Sequence, residues 1–157
     1  MDLTMQWTTK FSQVCVRWIN HTLITADTRG VVTAWSLERA EPKYFMEGHT
    51  DIVMNFIACD TVDPPLLATC SLDLTVRTWD LARGEEQLVL RGHEKGVVSL
   101  AYCADVNLLV SGGLDNFVLV WNPVVKAPIF KLVSPTSNTH CVGIEVVPGT
   151  ADMVKTS

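Results

Sequence analysis

The sequence predicts an all-β fold made of repeated four-stranded sheets, and three observations support this. Gly48-His49 returns as Gly92-His93, and Trp79-Asp80 returns as Trp121-Asn122. The period is nearly constant, with 44 residues between the two histidines and 42 between the two tryptophans. The apolar stretches are short, rich in Val, Leu, Ile and Thr, and broken by turn residues, which favours strands. A repeat of about 40–45 residues with these marks is typical of a propeller blade.

Each repeat is expected to supply four strands, named a to d from the inside outwards. The expected strands are near 13–19, 22–26, 31–36 and 43–47; 52–58, 66–70, 75–80 and 86–90; 97–103, 108–112, 117–122 and 127–132; and 140–147 and 152–156. One unit over 1–157 would hold blades at about 13–47, 52–90, 97–132 and 140–157. Asp63-Pro64-Pro65 is expected in an a–b loop, because proline lacks the donor that an inner strand needs.

The last repeat stops after its second strand, so the predicted propeller is incomplete, with about three and a half blades. A ring of this kind normally needs about four to eight blades. We therefore expect the chain to belong to a longer protein or to a multiprotein assembly. Two copies joined into one ring would lack a strand at each junction, so no homo-oligomer is expected.

The composition bounds the class of protein. A chain of 157 residues with 48% hydrophobic and 18% charged residues fits one packed domain. The net charge of −5 gives no broad basic surface, so nucleic acid is not expected as a partner. No signal peptide and no run of about 18 apolar residues is present, so no membrane association is expected. The odd, scattered cysteines predict free thiols and an intracellular location, cytoplasmic or nuclear: Cys15, Cys59, Cys70, Cys103 and Cys141.

Ser111, His93 and Asp115 taken alone suggest a hydrolase, because a serine, a histidine and an acid can form a nucleophilic triad. The preceding repeat carries the equivalent set in Thr69, His49 and Asp73. A catalytic site is needed once, whereas a structural device is needed in every repeat. No G-x-S-x-G turn is present either. No catalytic residue is therefore expected, and a hydrolase is only a remote alternative.

Metal and cofactor motifs are also missing from the sequence. There is no C-x-x-C pair, and Gly112-Gly113 lacks the lysine and serine of a phosphate-binding loop. We expect no metal site and no cofactor.

With these marks, the chain resembles the WD40-repeat family over nearly its whole length. The resemblance implies that the Ser/Thr of strand b, the histidine, the turn aspartate and the tryptophan of each blade form one hydrogen-bonded chain. An unpartnered polar group in such a sheet would cost about 1–3 kcal/mol. The implied structural tetrads are Thr69, His49, Asp73 and Trp79, and Ser111, His93, Asp115 and Trp121.

The first blade departs from this pattern. Thr25 and Trp35 keep the family separation and form a partial tetrad, but Arg29 stands where the aspartate is expected. The histidine position falls near Trp7, and Asp27 is a partial substitute for the aspartate.

The resemblance implies a non-catalytic protein-interaction scaffold that displays its loops to other proteins or peptides. The family binds partners through the b–c turns and the d–a loops. The candidate binding residues in these loops are Thr28, Asp51, Leu72, Lys95 and Leu114. An alternative is a regulatory or targeting module of an enzyme whose catalytic domain lies outside this chain.

Overall fold

The structure is a computed structural model that describes residues 11–134, 143–146 and 154–156. Its first twelve strands form three four-stranded antiparallel sheets, each in simple chain order. The first sheet contains β1 (Gln13–Ile19), β2 (Thr22–Asp27), β3 (Val32–Ser36) and β4 (Glu41–Met46). The second contains β5 (Val53–Cys59), β6 (Leu66–Ser71), β7 (Thr75–Asp80) and β8 (Glu86–Arg91). The third contains β9 (Val97–Cys103), β10 (Leu108–Gly113), β11 (Phe117–Trp121) and β12 (Pro128–Val133).

A fourth, two-stranded sheet pairs β13 (Ile144–Val146) with β14 (Val154–Thr156). The remaining residues of the strands expected at 140–147 and 152–156 lie outside the described part. The described residues contain no helix, and hence none that could cross a membrane.

The predicted all-β fold class is confirmed, and among the outer strands β4 departs from its predicted start. β4 and β12 include prolines at Pro42 and Pro128, each paired with the tryptophan of the neighbouring strand beside a bulge. Proline is tolerated there because an outer strand has an unpaired edge and needs no donor on that side. β4 consequently begins two residues earlier than expected.

The core lies between the sheets rather than within any one of them. Trp79 of the second sheet packs with Ile24, Val32 and Met46 of the first sheet. Trp121 of the third sheet packs in the same way with residues of the second sheet, among them Val76. Full burial of each large apolar side chain contributes about 1.5–3 kcal/mol. The tryptophan of strand c thus belongs to its own sheet and also packs against the neighbouring sheet.

Strand b shows how one segment serves both of its neighbours. Leu66, Ala68 and Cys70 of β6 face the third sheet, whereas Leu67 faces the first. All four are buried, since successive side chains of a strand point to opposite faces. This two-sided burial holds the b–c and a–b connections at fixed positions on opposite edges of the sheets.

Candidate functional site

The second sheet joins four polar side chains into one hydrogen-bonded chain. The Trp79 Nε1–H donates to Thr69 Oγ1 at 2.9 Å, and Thr69 Oγ1 lies 2.7 Å from His49 Nε2. His49 Nδ1 lies 2.8 Å from Asp73 Oδ2. With Asp73 ionised, every donor points the same way, from the indole through the hydroxyl and the imidazole to the carboxylate. The imidazole is therefore held by both of its nitrogens.

Asp73 also closes the b–c turn. Its Oδ1 accepts from the Thr75 amide at 2.9 Å and from the Thr75 hydroxyl at 2.6 Å, and its Oδ2 accepts from the Thr50 amide at 3.1 Å. Burial by itself would raise the pKa of Asp73, but the hydrogen bonds from His49, Thr75 and Thr50 outweigh it and lower the pKa well below its usual range. The carboxylate thus ties the d–a loop to the b–c turn.

The third sheet repeats the tetrad with one substitution beside it. Trp121 Nε1–H donates to Ser111 Oγ at 2.8 Å, which lies 2.7 Å from His93 Nε2, and His93 Nδ1 lies 2.5 Å from Asp115 Oδ2. Phe117 replaces the threonine after the turn and stacks on the His93 ring at 5.5 Å. Burial lowers the pKa of His93, which keeps the imidazole neutral in its aromatic stack.

The first sheet keeps only part of the network. Trp35 Nε1–H donates to Thr25 Oγ1 at 3.0 Å. Asp27 Oδ1 accepts from the amides of Arg29 and Val31 at 2.9 and 3.0 Å. Asp27 thus closes its turn as Asp73 does, although it stands two residues earlier in the repeat. Trp7, at the expected histidine position, lies outside the described residues.

The hydroxyls of these sets are not accessible to a substrate. Ser111 and Thr69 are both 0% exposed, and each is already bound by an indole and an imidazole. Over the described ranges, no three His, Cys, Asp or Glu side chains converge as they would around a metal ion. Burial raises the pKa of the Cys59 thiol to about 12 and also raises that of Cys70, which disfavours the reactive thiolate.

The tetrads position one face of the molecule, here called the upper face, which carries the b–c turns and the d–a loops. Thr28, Asp51 and Lys95 are exposed on this face. Leu114 is 39% exposed, whereas Leu72 is half-buried. The structure therefore leaves four of the five candidate binding residues open to solvent.

Leu72 and Leu114 meet at the same junction between two sheets. A Cβ placed at Gly96 would lie 2.7 Å from Leu72 Cδ2, so Leu72 packs directly over this glycine. The Gly96 carbonyl accepts from the Leu114 amide at 2.9 Å. Gly96 thus lies between the two turns, and a larger residue there would require the Leu72 side chain to shift.

Leu74 is a further apolar residue on the upper face that sequence reasoning missed. It is 41% exposed and has a positive φ of 72°. A leucine in this backbone region is uncommon and strained. Its position in the repeat is held by Gly30 and Asn116 in the other sheets, which are the residue types that adopt such a conformation. That mismatch between repeats was the signal in the sequence.

The comparison with family profiles identifies this architecture. The profile of the WD40 family, described as "WD domain, G-beta repeat", matches residues 40–80 and 84–122. The chain belongs to the WD40-repeat family, as the repeat pattern predicted.

The relatives of this chain are long proteins. It is 28% identical over 144 residues to cilia- and flagella-associated protein 337 B of Tetrahymena thermophila, which covers 89% of this chain and 11% of the relative. It is 33% identical over 117 residues to protein transport protein sec31 of Aspergillus oryzae, which covers 69% of this chain and 9% of the relative. The chain thus spans about a tenth of the length of these relatives.

Two solved structures share the fold. A chain in the crystal structure of the mitotic checkpoint complex superposes with a TM-score of 0.81 at 22% identity, covering 97% of this chain and 46% of that one. The computationally designed Ika8 protein superposes with a TM-score of 0.77 at 17% identity, covering 92% and 42%. At these identities the likeness establishes the fold alone.

Proposed function

We propose that this chain is a non-catalytic protein-interaction scaffold, which binds proteins or peptides through the upper face of a partial WD40 propeller. One observation carries the proposal. The repeated Ser/Thr, His and Asp side chains are buried and hold turns, while the turns themselves present exposed leucines at Leu74 and Leu114. Backbone strain at an exposed apolar residue often accompanies a functional site.

The mechanism is display on a rigid support. Each tetrad fixes a b–c turn against a d–a loop, so a partner meets a surface that is already ordered and loses little free energy in arranging it. Leu72, Leu74 and Leu114 would form the apolar centre of this surface. Thr28, Asp51 and Lys95 would supply its polar edge, since interfaces commonly have an apolar centre and a polar rim.

The proposal also covers the domain organisation of the chain, its location and the classes of partner that it does not bind. Residues 1–157 would form one partial propeller with blades near 13–47, 52–90, 97–132 and 140–157, acting within a larger protein or assembly. The free cysteines at Cys15, Cys59, Cys70 and Cys103 support an intracellular location, cytoplasmic or nuclear. The net charge of −5 argues against nucleic acid and anionic membrane surfaces as partners.

Two matched substitutions test the upper face. Leu114→Asp places a charge on it, whereas Val106→Asp places the same charge on a comparably exposed residue in the a–b connection of the same sheet, at the opposite edge. Each variant is introduced into the full natural protein and its retained partners are compared with those of the wild type. Loss of a partner with Leu114→Asp alone, at equal thermal stability, supports the proposal. Equal retention by both variants, or equal loss, contradicts it.

A separate experiment tests the remote alternative that the chain is a hydrolase. A serine-reactive phosphonate probe should leave Ser111 unlabelled, because the hydroxyl is fully buried. Labelling of Ser111 in the folded protein would support the hydrolase hypothesis and overturn the scaffold proposal.

A further inference from the structure

The edge opposite the upper face, here called the lower rim, carries the a–b loops and the c–d turns and contains a pocket. The pocket has a volume of about 160 Å³ and lies between the second and third sheets. The a–b loop and β8 of the second sheet form one side, and the c–d turn of the third sheet forms the other. Its apolar lining consists of Val62, Pro64, Leu66, Leu88, Pro123 and Val124.

The preceding junction shows which side chain fills the corresponding place there. Tyr44 of β4 pairs with Ala34 in strand register, as Leu88 of β8 pairs with Thr78 one repeat later. The Tyr44 ring packs on Gly84 in the c–d turn of the second sheet, and its hydroxyl donates to the Leu81 carbonyl. Leu88 has no ring and no hydroxyl, so the equivalent space at the next junction remains open.

We propose that this pocket binds a tyrosine side chain of a partner segment, with a lysine or arginine beside that tyrosine. The inference rests on the protein-binding function proposed above and assigns to it a second surface and a class of ligand. An apolar cavity of roughly 150 Å³ accepts a benzene ring, so the pocket has the volume for a phenol ring. A tyrosine from outside would replace the aromatic side chain that Tyr44 supplies from within at the first junction.

The lining includes a candidate acceptor for the tyrosine hydroxyl, the backbone carbonyl of Pro123. Pro123 follows Trp121 by two residues, as Leu81 follows Trp79, so the two carbonyls hold the same sequence position in their c–d turns, although Lys126 stands where the second sheet has Gly84. Among the described residues, no donor reaches the Pro123 carbonyl. A buried hydroxyl needs such a partner, and its presence favours tyrosine over phenylalanine.

The charge of the lining selects the neighbour of the tyrosine. Asp63 is the one charged residue that lines the pocket, and it forms no ion pair within the described part of the chain. Gln87, the other polar residue of the lining, can hydrogen-bond to a backbone amide of the ligand. A cationic side chain next to the tyrosine would pair with the Asp63 carboxylate, which an acidic one would oppose.

The test uses the dipeptide N-acetyl-Lys-Tyr-amide as the probe and methyl NMR of the full 157-residue chain as the readout, at a protein concentration at which light scattering shows a monomer. Saturable shifts are expected at the methyl groups of Val62, Leu66 and Val124. Val124→Lys should weaken binding by at least about tenfold, because it closes the mouth and pairs with Asp63. Val125→Lys should leave binding unchanged, because Val125 lies in the same turn but outside the lining. The two variants are matched, since Val124 is 54% exposed and Val125 is 47% exposed.

A second variant tests the equivalence with Tyr44. Leu88→Tyr should fill the pocket from within and abolish probe binding, while the methyl spectrum of the first sheet stays unchanged. N-acetyl-Lys-Ala-amide and N-acetyl-Glu-Tyr-amide should both bind more weakly than the probe, by about tenfold or more. An unfolded Leu88→Tyr variant does not block the test, because Val124→Lys alters only an exposed residue.

Several results would overturn the inference. They are an absence of saturable shifts around the pocket, equal binding by Val124→Lys and Val125→Lys, or equal binding of the Lys-Tyr and Glu-Tyr probes. The result of the probe-binding test can be distinguished from the result of the partner test on the upper face. Leu114→Asp should not change binding of the probe, and failure of the probe would leave the result for partners of the upper face as it stands.

Discussion

At the scale of single residues, a hydroxyl, an imidazole and a carboxylate can form either a catalytic site or a structural hydrogen-bond network. Their burial and their other hydrogen bonds decide between the two. His93 is held between Ser111 and Asp115 in the arrangement that a hydrolase uses, yet all three are buried. A nucleophile must reach its substrate, whereas a structural hydroxyl must satisfy an indole. The donation from Trp121 to Ser111 therefore defines the role of this set.

Asp73 makes folding of the second sheet sensitive to acid. Its pKa is lowered in the folded state, whereas an unfolded aspartate titrates near pH 3.9. Below about pH 4 the unfolded chain binds the extra proton, so the free energy of unfolding falls as the pH drops further. Asp73→Asn should lower the free energy of unfolding by about 1–3 kcal/mol at neutral pH, because an amide nitrogen in place of Oδ2 cannot accept from His49 and Thr50, and it should flatten this acid slope.

Urea unfolding at neutral pH and at several acidic pH values measures both effects. Asp51→Asn is the matched control, because Asp51 is an exposed aspartate in the neighbouring d–a loop. It should keep the acid slope of the wild type. Parallel stability curves for Asp73→Asn and the wild type would show that the carboxylate does not support the turn.

Leu74 presents the opposite case, a residue whose local conformation is unfavourable. Its positive φ of 72° costs a leucine free energy that a glycine does not lose. Leu74→Gly should therefore leave the protein as stable or stabilise it by up to about 1 kcal/mol, while weakening binding at the upper face. Thermal unfolding measures the change in stability. The comparison of retained partners described for Leu114→Asp, applied to Leu74→Gly, measures the change in binding. A clear loss of stability would mean that the leucine packs structurally, which would remove it from the proposed surface.

At the scale of strands and turns, the repeat made most of the fold predictable. Each of the twelve strands expected between residues 13 and 132 is present, since alternating apolar residues and turn residues mark them locally. The hydrogen-bonded sets followed from the family resemblance. The strain at Leu74 was missed, although the mismatch with Gly30 and Asn116 signalled it, whereas the pocket beside Leu88 could not be predicted because it depends on contacts between sheets. The start of β4 was placed two residues too late, after Pro42, although proline is tolerated in an outer strand such as this one.

Tyr44 should stabilise the junction between the first and second sheets. Tyr44→Phe removes the hydrogen bond to the Leu81 carbonyl and should cost about 0.5–1.5 kcal/mol. Tyr44→Leu also removes the ring from Gly84 and should cost more, about 2–4 kcal/mol, because it leaves a cavity like that beside Leu88. Urea unfolding measures these losses.

The control for Tyr44 is its neighbour on the same strand. Phe45 points to the other side of the sheet and is exposed, so Phe45→Leu should change stability by less than about 0.5 kcal/mol. Equal losses for Tyr44→Leu and Phe45→Leu would mean that the tyrosine does not join the two sheets.

At the scale of the whole molecule, stacking of the sheets buries residues on both faces of β5 and β9, whereas one face of β1 is open to solvent. By strand register with β2 and β6, Val16 of β1 is the equivalent of Phe56 of β5, because each pairs with the threonine of strand b. Phe56 is fully buried against the first sheet, whereas Val16 is exposed together with Val14 and Trp18. The alternate residues of β1, Cys15 and Ile19, do pack toward the second sheet. One face of β1 is thus a row of apolar side chains without a covering sheet in the described part.

This exposed row should make the 157-residue chain associate without fixed stoichiometry, since contiguous apolar patches of this kind drive self-association. The double variant Val16→Lys, Trp18→Lys should remove the association with little loss of stability, because both side chains are more than half exposed. Phe56→Lys, at the equivalent buried position, should instead unfold the second sheet. Static light scattering over a concentration series, with thermal unfolding of each variant, checks these outcomes. A wild-type mass that stays constant with concentration would show that the face of β1 is not adhesive, and unfolding of the double variant would show that Val16 and Trp18 belong to the core.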